Sequence, residues 1–110
     1  MIAWLAAFAL TSVIEIPIHA RALACARAPH RLLTAFAASA ITHPFVFLVF
    51  PRLLDSSGLL YLLVAETFAV AVEAWWLKRW GVREALLWSL LANATSVVVG
   101  AVLRTIAWSL

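Results

Sequence analysis

The chain has 110 residues, 66% of them hydrophobic and only 12% charged, with a formal net charge of +3. A soluble domain carries about twice that share of charge, so the composition points away from a water-exposed fold, and the length from more than one domain. The pI near 10.0 would suit a nucleic-acid binder, but the basic residues do not cover one soluble face. They cluster between apolar runs, where they set membrane orientation instead. The single cysteine, Cys25, rules out an intrachain disulfide and CxxC chemistry. It reads as a small inert residue; palmitoylation beside a membrane helix is the sharper alternative.

In chain order, four apolar stretches are predicted as helices, over about 2–20, 32–50, 59–77 and 84–106. Each approaches the ~20 residues needed to cross ~30 Å of hydrocarbon. No strand alternation suggests a barrel. The first stretch lacks the basic start of a signal peptide and contains Glu15 and Pro17, so it is expected to remain as a membrane helix. The first connection, Arg21 to Arg31, holds three Arg, a His and Pro29; Pro51 closes the second helix, before Asp55, Ser56, Ser57 and Gly58. KRWGVR, Lys78 to Arg83, separates the last two helices, with Gly81 suited to a C-cap. Short connections imply antiparallel neighbours. The expected fold is all-α: a polytopic, up-down-up-down bundle of four transmembrane helices, one integral membrane domain.

Orientation follows from charge. The first and third connections carry Arg21, Arg27, Arg31, Lys78, Arg79 and Arg83, six basic residues against Arg52 and Arg104 on the other side. The positive-inside rule places those connections in the cytoplasm and both termini outside. Trp4, Tyr61 and Trp108 then fall at the outer interface, and Trp75, Trp76, Trp80 and Trp88 at the inner one. The expected setting is a plasma membrane of the bacterial inner-membrane type.

Against that background, Glu15, Glu66 and Glu73 stand where charge is costly, and an intramembrane ionisable group marks a functional site by default. His43, Glu66 and Asn93 fall near their helix midpoints; Glu15 and Glu73 lie about one turn nearer the cytoplasm by a ~1.5 Å rise per residue. His19 falls at the cytoplasmic end of the first helix. Thr11, Ser12, Glu15 and His19 form one stripe, with Phe8 extending it as an apolar residue. Ser39 and His43 share a face on the second helix. Ser89, Asn93, Ser96 and Gly100 form a small-and-polar stripe on the last. Pro17 and Pro44 remove helical N–H groups and free the carbonyls of Val13 and Ala40, which then need partners or a cavity. Glu15, His43, Glu66 and Asn93 are expected to share one cavity open toward the cytoplasm, with His19, Pro17, Pro44 and Ser96 in support.

Two carboxylates on one helical face repel, so one tends to keep its proton. A nearby His adds a group that titrates near pH 7. The set Glu15, His43, Glu66, Glu73 and Asn93 thus suits proton relay or proton- or cation-coupled transport. Two alternatives stand beside it. The chain could be an accessory subunit of a larger membrane complex, its polar groups pairing internally or with a partner. It could also be a metal-binding enzyme or carrier using Glu15, His43, Glu66 and Glu73, although no HExxH or Glu-x-x-His motif is present. Glu15 and His19 form an i, i+4 pair that a salt bridge explains equally well. No cofactor motif is present, haem between His19 and His43 would need ligands at different depths, and nucleophile, phosphate-loop and nucleic-acid motifs are absent. The Asn93-Ala94-Thr95 sequon lies too deep for glycosylation. The expected partners are the bilayer and either further copies of the chain or a membrane complex.

In length, helix count and a glutamate midway along the first helix, Glu15, the chain is similar to the small multidrug resistance transporters. That resemblance implies exchange of protons for a cationic drug at Glu15 across an antiparallel dimer. The chain departs from the family in its extra acids, Glu66 and Glu73, in lacking a glycine-rich packing pattern on its last two helices, and in its six-to-two charge bias.

Overall fold

The computed structural model describes residues 2–25, 30–53 and 58–109. All regular structure among them is helical. Helix α1 spans Ile2–Ala22 and ends in a 3-10 turn, Leu23–Cys25. Helix α2 spans Arg31–Pro44 and continues through a π-helical stretch, Phe45–Val49, into a short α-helical tail, Phe50–Leu53. Helix α3 spans Leu59–Arg79 and α4 spans Ala85–Ser109. The expected turn at 54–57, and the side chains of Trp4, Cys25, Arg27, Arg52, Arg104 and Trp108, lie outside the described residues.

Each helix packs on two neighbours: α1 on α2, α2 on α3, α3 on α4, and α4 back on α1. Cross-links fix the antiparallel order. Phe8 meets His43 while Ser39 reaches Glu15; Tyr61 bonds Val46 while Trp76 bonds Thr34. The bundle therefore has a terminal end, carrying both chain termini, and a loop end, carrying the first and third connections.

Small residues make the contacts possible. Ala35, Ala38, Ala65, Ala69 and Ala92 are all buried, letting backbones approach closely, as at interfaces between membrane helices. Large apolar side chains point the other way: Val13 is 71% exposed, Leu59 70% and Leu86 64%. The buried set instead includes Ser12, Glu15, His19, Ser39, Thr42, His43, Glu73, Ser89 and Asn93. This inverts the distribution of a soluble domain, whose buried residues are mostly apolar and whose exposed apolar patches are small.

Two helices, α3 over Leu59–Arg79 and α4 over Ala85–Leu103, are long and apolar enough to cross a membrane. Only 17% of an 18-residue apolar window in either segment is buried within the chain, whereas the core helix of a soluble protein is mostly buried. Helices α1 and α2 do not meet the same measure among the described residues. They carry more of the polar stripe, and the α-helical part of α2 is only 14 residues long.

That shortening has a cause in the sequence. Pro44 cannot donate to the α-helical ladder, and the turns after it widen into the π-helical stretch, where the Phe50 N–H bonds the Phe45 carbonyl. Within the stretch, the Val46 carbonyl accepts a 2.6 Å hydrogen bond from the Tyr61 hydroxyl. Pro17 passes through α1 without a break.

The α3–α4 turn forms as its glycine predicts. The Gly81 N–H bonds the Lys78 carbonyl at 3.0 Å and the Val82 N–H bonds the Leu77 carbonyl at 3.1 Å, the paired bonds of a Schellman C-cap. Val82 and Leu77 also share one apolar cluster, the contact that accompanies this motif. Gly81 has φ +89°, and a Cβ there would meet nothing within 4 Å. The penalty for Gly81→Ala is therefore conformational, about 1–2 kcal/mol, and should appear as a lower melting temperature in detergent with helix content unchanged.

Candidate functional site

The polar stripes of all four helices meet inside the bundle. Glu73 on α3 is the hub, 1% exposed. Its Oε1 accepts a 3.0 Å hydrogen bond from Asn93 Nδ2 on α4, and its Oε2 lies 2.8 Å from Thr42 Oγ1 on α2. His19 Nε2 on α1 stands 3.3 Å from the same Oε1. Beside it, Glu15 accepts a 3.1 Å hydrogen bond from Ser39 Oγ. Ser89 Oγ donates to the Val70 carbonyl at 2.8 Å, pinning α4 to α3 one turn away.

The hydrogen-bond chemistry of the hub is well determined at one oxygen and switchable at the other. Asn93 Nδ2 also donates to the Ser89 carbonyl at 2.9 Å. A carbonyl only accepts, so the amide must face it with nitrogen, and Glu73 Oε1 is fixed as an acceptor. Thr42 has one hydroxyl proton, within reach of Glu73 Oε2 and, at 3.2 Å, of the Ser39 carbonyl. With that proton on the Glu73 bond, Glu73 is a carboxylate. With the proton turned to Ser39, the contact persists when Glu73 carries its own proton. Thr42 thus accommodates either protonation state of Glu73 without loss of the contact.

The candidate residues surround one cavity of about 70 Å³, lined by Glu15, Thr42, His43, Glu66, Glu73, Asn93 and Ser96 among others. The structure thus brings together Glu15, His43, Glu66, Glu73 and Asn93. His43 packs edge-on against Phe8, centroids 4.8 Å apart. Glu66 is half-buried and also borders a second cavity of about 420 Å³, which extends toward the terminal end past Leu10, Tyr61, Gly100 and Ala101. The two cavities share Thr11, Val46, Glu66 and Ser96, so Glu66 stands at their junction.

Several expectations change here. Among the described residues, the cavity's lining continues toward the terminal end rather than the loop end. At the loop end, among the same residues, lies an apolar plug of Ala20, Ala22, Leu23, Ala35, Leu77, Val82 and Ala85, with Ile16, Trp80 and Trp88 packed against it. A depression of about 610 Å³ beyond the plug, beside Arg21, Arg83 and Trp88, shares no residue with the lumen. Pro17 does not support the cavity: it is exposed on the outer face with Val13, since two residues from Glu15 is roughly 200° around a helix. His19, expected at the edge, is fully buried at the hub.

His19 is interior because α1 continues past it to Ala22 and into the 3-10 turn. Side chains lean toward the N-terminus of their own helix. On α1 and α3 that lean is toward the terminal end, and on α2 and α4 toward the loop end. Side chains of α1 and α3 therefore meet those of α2 and α4 from about a turn away in Cα depth. Thr42 was not singled out by sequence, although its i, i+3 spacing from Ser39 and its place before His43 put it on the inward face.

Among the described residues, the convergent set able to hold a metal is Glu15, His19 and Glu73, all buried, with one ligand atom from each lying within 4.8 Å of the others. His43 and Glu66, weighed as ligands from sequence, line the cavity without joining that set. Comparison with protein-family models, characterised proteins and solved structures finds no match.

Proposed function

We propose that the chain is an integral membrane protein whose four helices all span the bilayer and whose polar lumen conducts protons or cations, as a relay or a proton- or cation-coupled carrier. The observation that carries this reading is the inverted surface: ionisable side chains inside, large aliphatic side chains outside on every helix. In lipid this arrangement is favourable; in water it would expose an apolar girdle far beyond that of a soluble monomer. Exposed hydroxyls fit the same setting. Thr95 and Thr105 bond the carbonyls of Leu91 and Ala101 on their own helix at 2.7 and 2.9 Å, satisfying themselves where no water is available.

Among the described side chains, every exposed charged residue lies at the loop end: Arg21, Arg31, Lys78, Arg79, Arg83 and Glu84. Five of these six are basic, which supports a cytoplasmic loop end and extracytoplasmic termini. A proton or cation then enters at the terminal end, meets Glu66 and reaches Glu73 and Glu15. Passage beyond them requires the apolar plug to repack, and the two places where proline weakens the helical ladder, Pro17 and Pro44, are where α1 and α2 can bend.

The plug also favours a second reading. A lumen closed at one end suits an accessory subunit of a larger membrane complex, in which the polar cluster holds four helices together. Reconstitution separates the two. The purified wild-type protein in vesicles should dissipate an imposed proton or cation gradient. Absence of flux under every gradient, with other chains co-purifying from native membranes, would select the accessory role.

A further inference from the structure

We propose that Glu15, His19 and Glu73 form a binding site for a divalent first-row transition-metal ion of the zinc or manganese class. The proposal deepens the cation-lumen reading and rests on it for the path by which an ion arrives. Three buried side chains from two helices bring one ligand atom each to within 4.8 Å of one another. Ligands ~2.1 Å from a tetrahedral ion stand roughly 3.4 Å apart, so small side-chain rotations complete the set.

An independent observation points to a ligand. His19 is 0% exposed, yet neither ring nitrogen has a hydrogen-bond partner. Its Nε2 is 3.3 Å from Glu73 Oε1 but not in line for a hydrogen bond. Donor atoms that approach without bonding each other are the arrangement of two ligands aimed at a common ion. The surroundings support the carboxylates as metal-bound ones are supported: Ser39 holds Glu15, and Thr42 and Asn93 hold Glu73, the outer hydrogen bonds that orient ligands and tune affinity. A doubly charged cation also neutralises the two adjacent carboxylates. One nitrogen and two oxygen donors suit zinc, manganese or iron(II) rather than copper(I), which prefers sulfur. Three protein ligands leave at least one coordination position open, so the ion can exchange.

The test uses the full chain, purified in mild detergent, loaded separately with Zn²⁺, Mn²⁺ and Co²⁺, desalted and analysed for bound metal. About one equivalent per chain is expected, with the Co²⁺ form showing the visible absorption of a low-coordinate nitrogen–oxygen site. Thr42→Val, which removes only a supporting hydrogen bond, should weaken binding by about 10–100-fold. His19→Ala and Glu15→Gln should each weaken it further and abolish the cobalt band, while His30→Ala, on the exposed surface, should leave both unchanged. No metal retained by the wild type, or equal retention by folded Glu15→Gln, would overturn the proposal; Glu15→Gln keeps the side-chain volume should His19→Ala fail to fold. Proton flux that persists in chelator-treated vesicles, with no metal bound, would remove the metal and leave the lumen reading standing. Stoichiometric metal with no flux of any ion would do the reverse.

Discussion

Glu66→Gln should abolish gradient-driven flux in reconstituted vesicles while leaving the bundle folded. Glu66 sits where the terminal-end cavity joins the inner one, so anything moving between them passes its carboxylate. The amide keeps the shape but neither ionises nor carries a proton. Stability should change little, because the hydrogen bonds that tie the cluster run through Glu15 and Glu73 instead. Dye-reported proton flux and detergent melting, measured on the same preparation, separate the two effects. A folded variant with wild-type flux would remove Glu66 from the path.

Glu73→Ala should have the largest effect on stability of any single substitution in the lumen. The carboxylate accepts from Asn93, contacts Thr42 and stands against His19, so one side chain joins α3 to the other three helices. Truncation removes the Glu73 acceptor from Asn93 and Thr42, leaving them their bonds to the Ser89 and Ser39 carbonyls, takes away the carboxylate beside His19, and opens a void. An unmade buried hydrogen bond costs about 1–3 kcal/mol, but interhelical bonds in lipid are worth about 0.6–2 kcal/mol, because the unfolded helices also find partners. A loss of roughly 2–5 kcal/mol is expected. Glu73→Gln keeps an acceptor for Asn93 and a group for Thr42, so it should recover most of that loss. Equal melting temperatures for wild type and Glu73→Ala would show that the cluster does not hold the helices together.

Much of this architecture is legible in the sequence because it follows from local signals. Gly81 and the basic segment from Lys78 to Arg83 delimit α3 and α4, and Gly81 is found in the left-handed conformation its C-cap requires. The inward faces are also legible: Ser12, Glu15 and His19 on α1, and Ser89 and Asn93 on α4, are buried as their spacing implies. What escapes is relative depth. His19 looks peripheral when the first helix is taken to stop near residue 20, but α1 runs on to Ala22 with a 3-10 turn beyond, so His19 lies within the packed helix and reaches Glu73. The direction of opening is equally non-local. Polar residues nearest the loop end suggest access there, yet they satisfy one another, and Leu23, Leu77 and Val82 from three separate segments close the gap below them. By length and composition only α3 and α4 are apolar enough to cross a membrane; α1 and α2, with more of the buried polar residues, do not meet that measure among the described residues.

Access to the lumen from the terminal end alone can be read directly with a membrane-impermeant thiol reagent. In a Cys25→Ser background, Gly100→Cys places a thiol on the wall of the terminal-end cavity, where a Cβ meets nothing within 4 Å. Ala85→Cys places one in the plug, 6% exposed. The Gly100 variant should be labelled in intact cells from the extracytoplasmic side and protected from the cytoplasmic side in inverted vesicles, and the Ala85 variant protected from both. Labelling of the Ala85 variant as fast as that of the Gly100 variant, or labelling of Gly100→Cys from the cytoplasmic side only, would contradict a lumen that opens at the termini and ends at the plug.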